Sequence, residues 1–113
     1  MSTRALEALD RILNRGGDAD DVLRSAVGAL VDEPGIAWAG IAFQEEGTLS
    51  IGPQAGEPDD ARRVRTPIVY RDSKVGELWV DGEADAAFLE RFALLVSQYV
   101  LIGWDTQGEG WDP

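Results

Sequence analysis

Trp38-Ala39-Gly40-Ile41-Ala42-Phe43, then Glu45-Glu46-Gly47, then Thr48-Leu49-Ser50-Ile51-Gly52 is the stretch that decides the fold. Ile36 to Phe43 reads as a strand. The acidic turn ending on glycine folds the chain back, and Thr48 to Gly52 reads as a second strand paired with the first as a hairpin. Pro53 to Arg62 holds two prolines, a glycine and the adjacent acids Asp59-Asp60, and reads as a loop. Val64 to Tyr70 is a third strand, in which Pro67 demands an edge position or a bulge because it has no N–H for the ladder. Arg71-Asp72-Ser73-Lys74 turns the chain, and Val75 to Asp81 is a fourth strand.

Helices flank this sheet. Leu6, Leu9, Ile12 and Leu13 recur at helical spacing, with Ser2 or Thr3 as cap and Gly16-Gly17 as stop. Asp18 caps a second helix to about Asp32, whose Val22, Leu23, Ala26, Val27, Leu30 and Val31 form one apolar stripe. Pro34-Gly35 ends it. Asp85 caps a long last helix, about Ala86 to Ile102, stopped by Gly103. Phe88, Leu89, Phe92, Ala93, Leu95, Val96, Tyr99 and Val100 cover about half of its circumference at ~100° per residue. Leu94 and Leu101 fall on the otherwise polar side with Glu90 and Gln98, so this helix is expected to have a second partner. The predicted class is α+β, with helices on one face of an antiparallel sheet of about four strands. The expected organisation is one small domain over residues 1–103 and a non-periodic tail over 104–113.

Composition narrows the function. The chain has 113 residues, 44% hydrophobic and 27% charged, which fits one globular domain. No run approaches the ~20 apolar residues of a membrane span, and the N-terminus lacks the apolar core of a signal peptide. The expected location is therefore cytoplasmic. With no cysteine and no histidine, thiol chemistry, disulfides and the commonest neutral-pH acid/base are excluded. The net charge of −11 repels phosphates, so neither nucleic acid nor an anionic membrane is an expected partner. No cofactor or metal is expected. Asp20-Asp21 and Asp59-Asp60 are adjacent pairs whose side chains point apart, and no glycine motif follows a strand at phosphate-loop spacing.

The order helix, helix, hairpin, hairpin, helix resembles a GAF domain over about Leu6 to Val100. The residues that carry the likeness are Trp38-Ala39-Gly40, Leu49 with Ile51-Gly52-Pro53, Gly56, Pro67-Ile68, Val75-Gly76 with Leu78, and Asp81. The chain looks most like the free methionine-(R)-sulfoxide reductase type, but shortened. The resemblance implies a GAF/PAS-like (profilin-like) sheet with the first and last helices on its back and a ligand pocket on the opposite face. The reductases carry several dozen residues, with their cysteines, between the second strand and the proline strand. Here that cassette is reduced to Glu57 to Arg63. A glutamate four residues before the proline is replaced by Arg63, and one of two aspartates around the end of the next strand by Trp79. Trp38 and Asp81 are what remain of the ligand-binding set.

Side chains alternate across a strand. If Trp38 faces that pocket side, so do Gly40, Ala42, Arg63, Arg65, Val69, Glu77, Trp79 and Asp81. Ala39, Ile41, Phe43, Val64, Ile68, Tyr70, Leu78 and Val80 then face the helices. Trp38, Arg63, Arg65, Glu77, Trp79 and Asp81 are the candidate ligand-binding residues, with a cation–π pair open to Trp79 and either Arg63 or Arg65. Without the cassette, two tryptophans would lie bare. That would forgo several kcal/mol, at ~25 cal/mol per Å² over roughly 150–250 Å² each. Three covers are expected: the tail with Trp104 and Trp111, a twin subunit, or a small ligand. Leu94 and Leu101 are the candidate dimer contact. The expected function is a stand-alone, non-catalytic GAF-like domain acting by association, as a homodimer and through protein or small-molecule binding on the sheet face. The alternatives are a small-ligand sensor and a degenerate relative of the sulfoxide reductases.

Overall fold

The computed structural model describes residues 4–45 and 47–110, with side chains over 4–44 and 47–101. The helices are α1 (Arg4–Arg15), α2 (Ala19–Val31) and α3 (Ala86–Gly110). The strands are β1 (Ile36–Glu45), β2 (Thr48–Gly56), β3 (Arg63–Tyr70) and β4 (Ser73–Gly82), with a 3₁₀ turn at Asp60–Arg62. The strands form one antiparallel sheet in the order β2-β1-β4-β3. No helix among the described residues is long and apolar enough to cross a membrane.

Local sequence accounts for most of the boundaries. The Asp18 carboxylate accepts from the Asp21 N–H at 2.9 Å and caps α2. The β3–β4 hairpin turns on Arg71 and Asp72, both left-handed at φ 49° and 67°, as a tight two-residue turn requires. Pro67 lies in β3, an outer strand, where its missing N–H is tolerated.

β1, β3 and β4 run one or two residues past their expected ends, and two other boundaries differ by more. β2 continues through Pro53 to Gly56 instead of ending at Gly52. It is the other outer strand, and its register with β1 shifts between Gly40 and Ala42, opposite Gln54 and Ile51. An edge position next to a bulge accommodates the proline. The strand leaves at Gly56, φ 93°, where an added Cβ would lie 2.2 Å from the Ala37 carbonyl oxygen. The helix expected to stop at Gly103 runs to Gly110, since one glycine costs only about 1 kcal/mol in a helix interior and is not by itself a stop. The proposed caps Ser2 and Thr3 lie outside the described residues.

The helix-facing side of the sheet is apolar. Ala39, Ile41, Phe43, Ile68, Leu78 and Val80 join one core with Leu23, Val27 and Leu30 of α2 and with Leu89, Phe92 and Val96 of α3. α2 and α3 are the helices laid on the sheet, and α1 packs on α2. This corrects the expectation that α1 and α3 form the backing. The reason is apolar area: α2 buries six side chains, whereas α1 buries Ala5 and Leu9. Val64, expected in the core, is exposed on the outer strand.

Candidate functional site

The far face of the sheet collects the six residues that strand alternation placed there. Cross-strand pairing sets Trp38 opposite Asp81 and Gly40 opposite Trp79 between β1 and β4. It sets Arg63 opposite Asp81 and Arg65 opposite Trp79 between β3 and β4. Asp81 is thus flanked by Trp38 on one side and Arg63 on the other, and Trp79 lies next to Arg65.

Arg63 is the hub. Its Nε donates to Asp81 Oδ1 at 2.7 Å and its Nη2 donates to Oδ2 at 2.9 Å, a bidentate pair. The Asp59 N–H also donates to Oδ2, so the short segment after β2 folds down onto the carboxylate. The guanidinium carbon sits 4.5 Å from the Trp38 ring centroid and 5.3 Å from that of Trp79. Arg65 stacks on Trp79 at 4.4 Å. Each such contact contributes about 0.5–2 kcal/mol, more as water is excluded.

These contacts overturn one expectation. Trp38 is not bare: it is 3% exposed, with Arg63 over its ring. The indole lies across Gly40, where an added Cβ would come 2.6 Å from Trp38 Cη2. Its Nε1–H donates to Gln54 Oε1 at 3.3 Å. Trp79 is half-buried, and its Nε1–H donates to Glu77 Oε1 at 2.8 Å. The cover comes from the sheet's own arginines. The tail side chains Trp104 and Trp111, offered as a cover, lie outside the described residues.

The carboxylates on this face are held ionised. Arg63 pulls the Asp81 carboxyl below the usual carboxylate range, against the opposing effect of burial and with help from the Asp59 amide. In return, Asp81 holds the Arg63 proton still more firmly. Burial pushes Glu77 up, but hydrogen bonds from Lys74 and Trp79 outweigh it and leave the group below its ordinary value. Lys74 Nζ donates to Glu77 Oε2 at 2.6 Å. Neither carboxylate is poised to exchange a proton near neutrality. Among the described residues, no cluster of three or more acidic side chains could hold a metal ion.

Gln54, Lys74 and the Asp59 amide belong to this network but were not among the sequence candidates. Pro53 hid Gln54 inside an expected loop, and Lys74 read as part of a turn. The two leucines proposed for a dimer contact are separated by the structure. Leu94 is 66% exposed, whereas Leu101 is half-buried against the core.

Solved structures share this fold. The GAF domain of an Acinetobacter phosphoenolpyruvate-protein phosphotransferase superposes with a TM-score of 0.67 at 16% identity, covering 93% of this chain and 97% of that one. The free methionine-R-sulfoxide reductase of Neisseria meningitidis, solved with its substrate, gives 0.67 at 14% identity, covering 94% and 95%. The type II reductase of Thermoplasma acidophilum gives 0.60 at 18% identity, covering 74% and 92%.

The fold is GAF-like.

No protein-family model matches the sequence, and no curated protein does. At these identities the likeness concerns the fold. Within this frame, the short connection between β2 and β3 brings the Asp59 amide onto Asp81.

Proposed function

We propose that this chain is a non-catalytic GAF-like module that acts by association, as a homodimer and as a docking surface for protein on its sheet face. The observation that carries the reading is the Arg63 guanidinium lying on Trp38 and bound at both ends to Asp81. The groups that could have gripped a small molecule on that face are engaged with one another. The similar reductases act on methionine sulfoxide, but a chain without cysteine cannot perform thiol chemistry. What this face offers to a partner is Arg65 stacked on a half-buried Trp79, two residue types enriched at protein interfaces.

The dimer contact is proposed on α3. Leu94 and Leu95 are 66% and 37% exposed. Beside Leu95, the groove between α1 and α3 carries both signs of charge, with Glu7, Asp10, Arg11 and Arg91 along it. A second copy related by a two-fold axis can set the arginines of one groove against the acids of the other. Nothing in this arrangement requires a membrane or nucleic acid, and the proposed location is the cytoplasm.

Light scattering at tens of micromolar tests the dimer: a particle of twice the 12.2 kDa chain mass is expected, and a monomer at that concentration counts against it. A metabolite panel read by tryptophan fluorescence separates association from small-ligand sensing. Saturable quenching by one compound would favour a sensor. Incubation with methionine sulfoxide and a reductant should leave the substrate intact.

A further inference from the structure

Three groups that hold Arg63 come from outside its own strand, and a fourth group, the Asp59 amide, holds one of those three. Trp38 comes from β1, Trp79 and Asp81 from β4, and the Asp59 amide from the segment after β2. Three of them are fixed without Arg63. Trp38 is tied to Gln54 and laid across Gly40, Asp81 takes the Asp59 N–H, and Trp79 is bonded to Glu77. The recess around the guanidinium is therefore set by contacts that survive its removal.

The chemistry of the recess is selective. A carboxylate with both oxygens offered side by side, and 0% exposed, matches two parallel N–H donors of a planar cation. Two indole rings within 4.5 and 5.3 Å suit a flat, weakly hydrated cation better than a compact, strongly hydrated ammonium. The combination specifies guanidinium over methylammonium, sodium or a neutral isostere such as urea.

We propose that Trp38, Trp79 and Asp81, the last fixed by the Asp59 amide, form a guanidinium-binding site that the chain fills from within with Arg63, and that emptying it lets a free alkylguanidinium cation take the place of that side chain. In the intact chain the tethered guanidinium is present at an effective concentration of about millimolar or more, so dilute free cation does not displace it. The site stays shut to other ligands for as long as Arg63 occupies it. This holds whether or not the chain self-associates.

The test uses the full chain carrying Arg63→Ala, titrated with methylguanidinium chloride. Methylammonium chloride, sodium chloride and urea are run in parallel, and the readouts are thermal unfolding and tryptophan fluorescence. The expected result is a saturable rise in Tm and a fluorescence change with methylguanidinium, about tenfold tighter than with methylammonium. The intact chain should give neither, and Arg63→Ala with Asp81→Asn should abolish both. A folded Arg63→Ala chain without a selective response, or a response that persists without Asp81, overturns the proposal. If Arg63→Ala does not fold alone, folding restored by methylguanidinium and not by methylammonium supports it, and no restoration overturns it. In the intact chain, nuclear magnetic resonance gives an independent check. The Arg63 Nε–H should exchange with solvent at least about tenfold more slowly than that of exposed Arg71, as a buried hydrogen bond requires. Equal rates would count against the site. Light scattering on the intact chain keeps the outcomes apart, because a monomeric intact chain with cation uptake retained in Arg63→Ala would count against association alone.

Discussion

Arg63 and Asp81 meet end to end: Nε lies 2.7 Å from Oδ1 and Nη2 2.9 Å from Oδ2, with the Asp81 side chain 0% and the Arg63 side chain 20% exposed. Removing one partner of such a pair leaves the other desolvated and alone, which costs about 3–5 kcal/mol in a fully buried site. Arg63 retains some water, so Arg63→Ala is expected to cost about 2–3 kcal/mol. Arg63→Met with Asp81→Leu should cost clearly less than the two single changes together, because no charge is stranded. Urea denaturation of the four chains checks this, and strict additivity would show that the two residues are not coupled.

Acid should unfold the protein partly through this pair. The Asp81 carboxyl titrates lower in the folded chain than in the unfolded one, mainly because of Arg63. The unfolded chain then binds more protons in the acid range. The stabilisation is complete above the unfolded value of about 3.9 and is lost as pH falls through the lower folded value. Glu77, also lowered on balance, adds a loss of the same sign starting near its unfolded value of about 4.3. Stability measured from pH 7 downward should be flat to about pH 5 and then fall. Asp81→Asn should be less stable at neutrality and have a shallower acid limb. An unchanged limb in that variant would remove Asp81 from the acid response.

Much of this face was legible in the sequence because the strand period of two is rigid. Once Trp38 was assigned a side, alternation carried Arg63, Arg65, Glu77, Trp79 and Asp81 with it, and the register set them next to one another. What covers the tryptophans was not legible. Alternation gives a side chain's direction but not its reach, and Arg63 spans from β3 across β4 to an indole on β1. Gln54 was missed because Pro53 normally breaks a strand, and the bulge that lets β2 continue is a property of the pair. Leu101 was assigned to the open side of α3 by its helical angle alone. The core wraps far enough around the helix to half-bury it.

Gly40 should be intolerant of a side chain although its backbone lies outside the left-handed region. A Cβ there would meet Trp38 Cη2 at 2.6 Å, Cζ2 at 2.8 Å and Ile51 Cδ1 at 3.1 Å. The indole must lift, losing its Gln54 bond and its place under Arg63. Gly40→Val is expected to cost about 1–3 kcal/mol, as overpacking does. Its tryptophan emission should shift to the red as Trp38 meets water. In a Trp38→Phe background the same substitution should leave the emission where it was. Blue or unchanged emission from Gly40→Val in the parent chain would mean that Trp38 does not lie across this glycine.

Glu33 is 6% exposed, and its Oε2 has no hydrogen-bond partner among the described residues. A buried acceptor left unmade costs about 1–3 kcal/mol. Glu33→Met keeps the length of the side chain and removes the unmet acceptor, so it should raise stability by about 1 kcal/mol. A loss of that size instead would show that the carboxylate serves a partner, such as a cation, in solution.

Leu94 offers the sharpest separation between fold and association. Its side chain is 66% exposed on α3, away from the core that Phe92, Ala93 and Val96 fill. Replacing it with glutamate removes little that the isolated chain uses, so unfolding of the monomer should shift by no more than about 0.5 kcal/mol. In a two-fold contact the same change enters twice and sets two like charges close together in an apolar patch. The proposed dimer should weaken by at least about tenfold, or 1.4 kcal/mol, and the weakening should ease as salt screens the charges. Leu101→Glu should behave differently: that half-buried side chain supports the core, so its loss should lower the stability of the monomer itself. Sedimentation of Leu94→Glu across a concentration series reads the first effect, and urea denaturation reads the second. A Leu94→Glu chain that still sediments as the parent would move the contact off this part of α3.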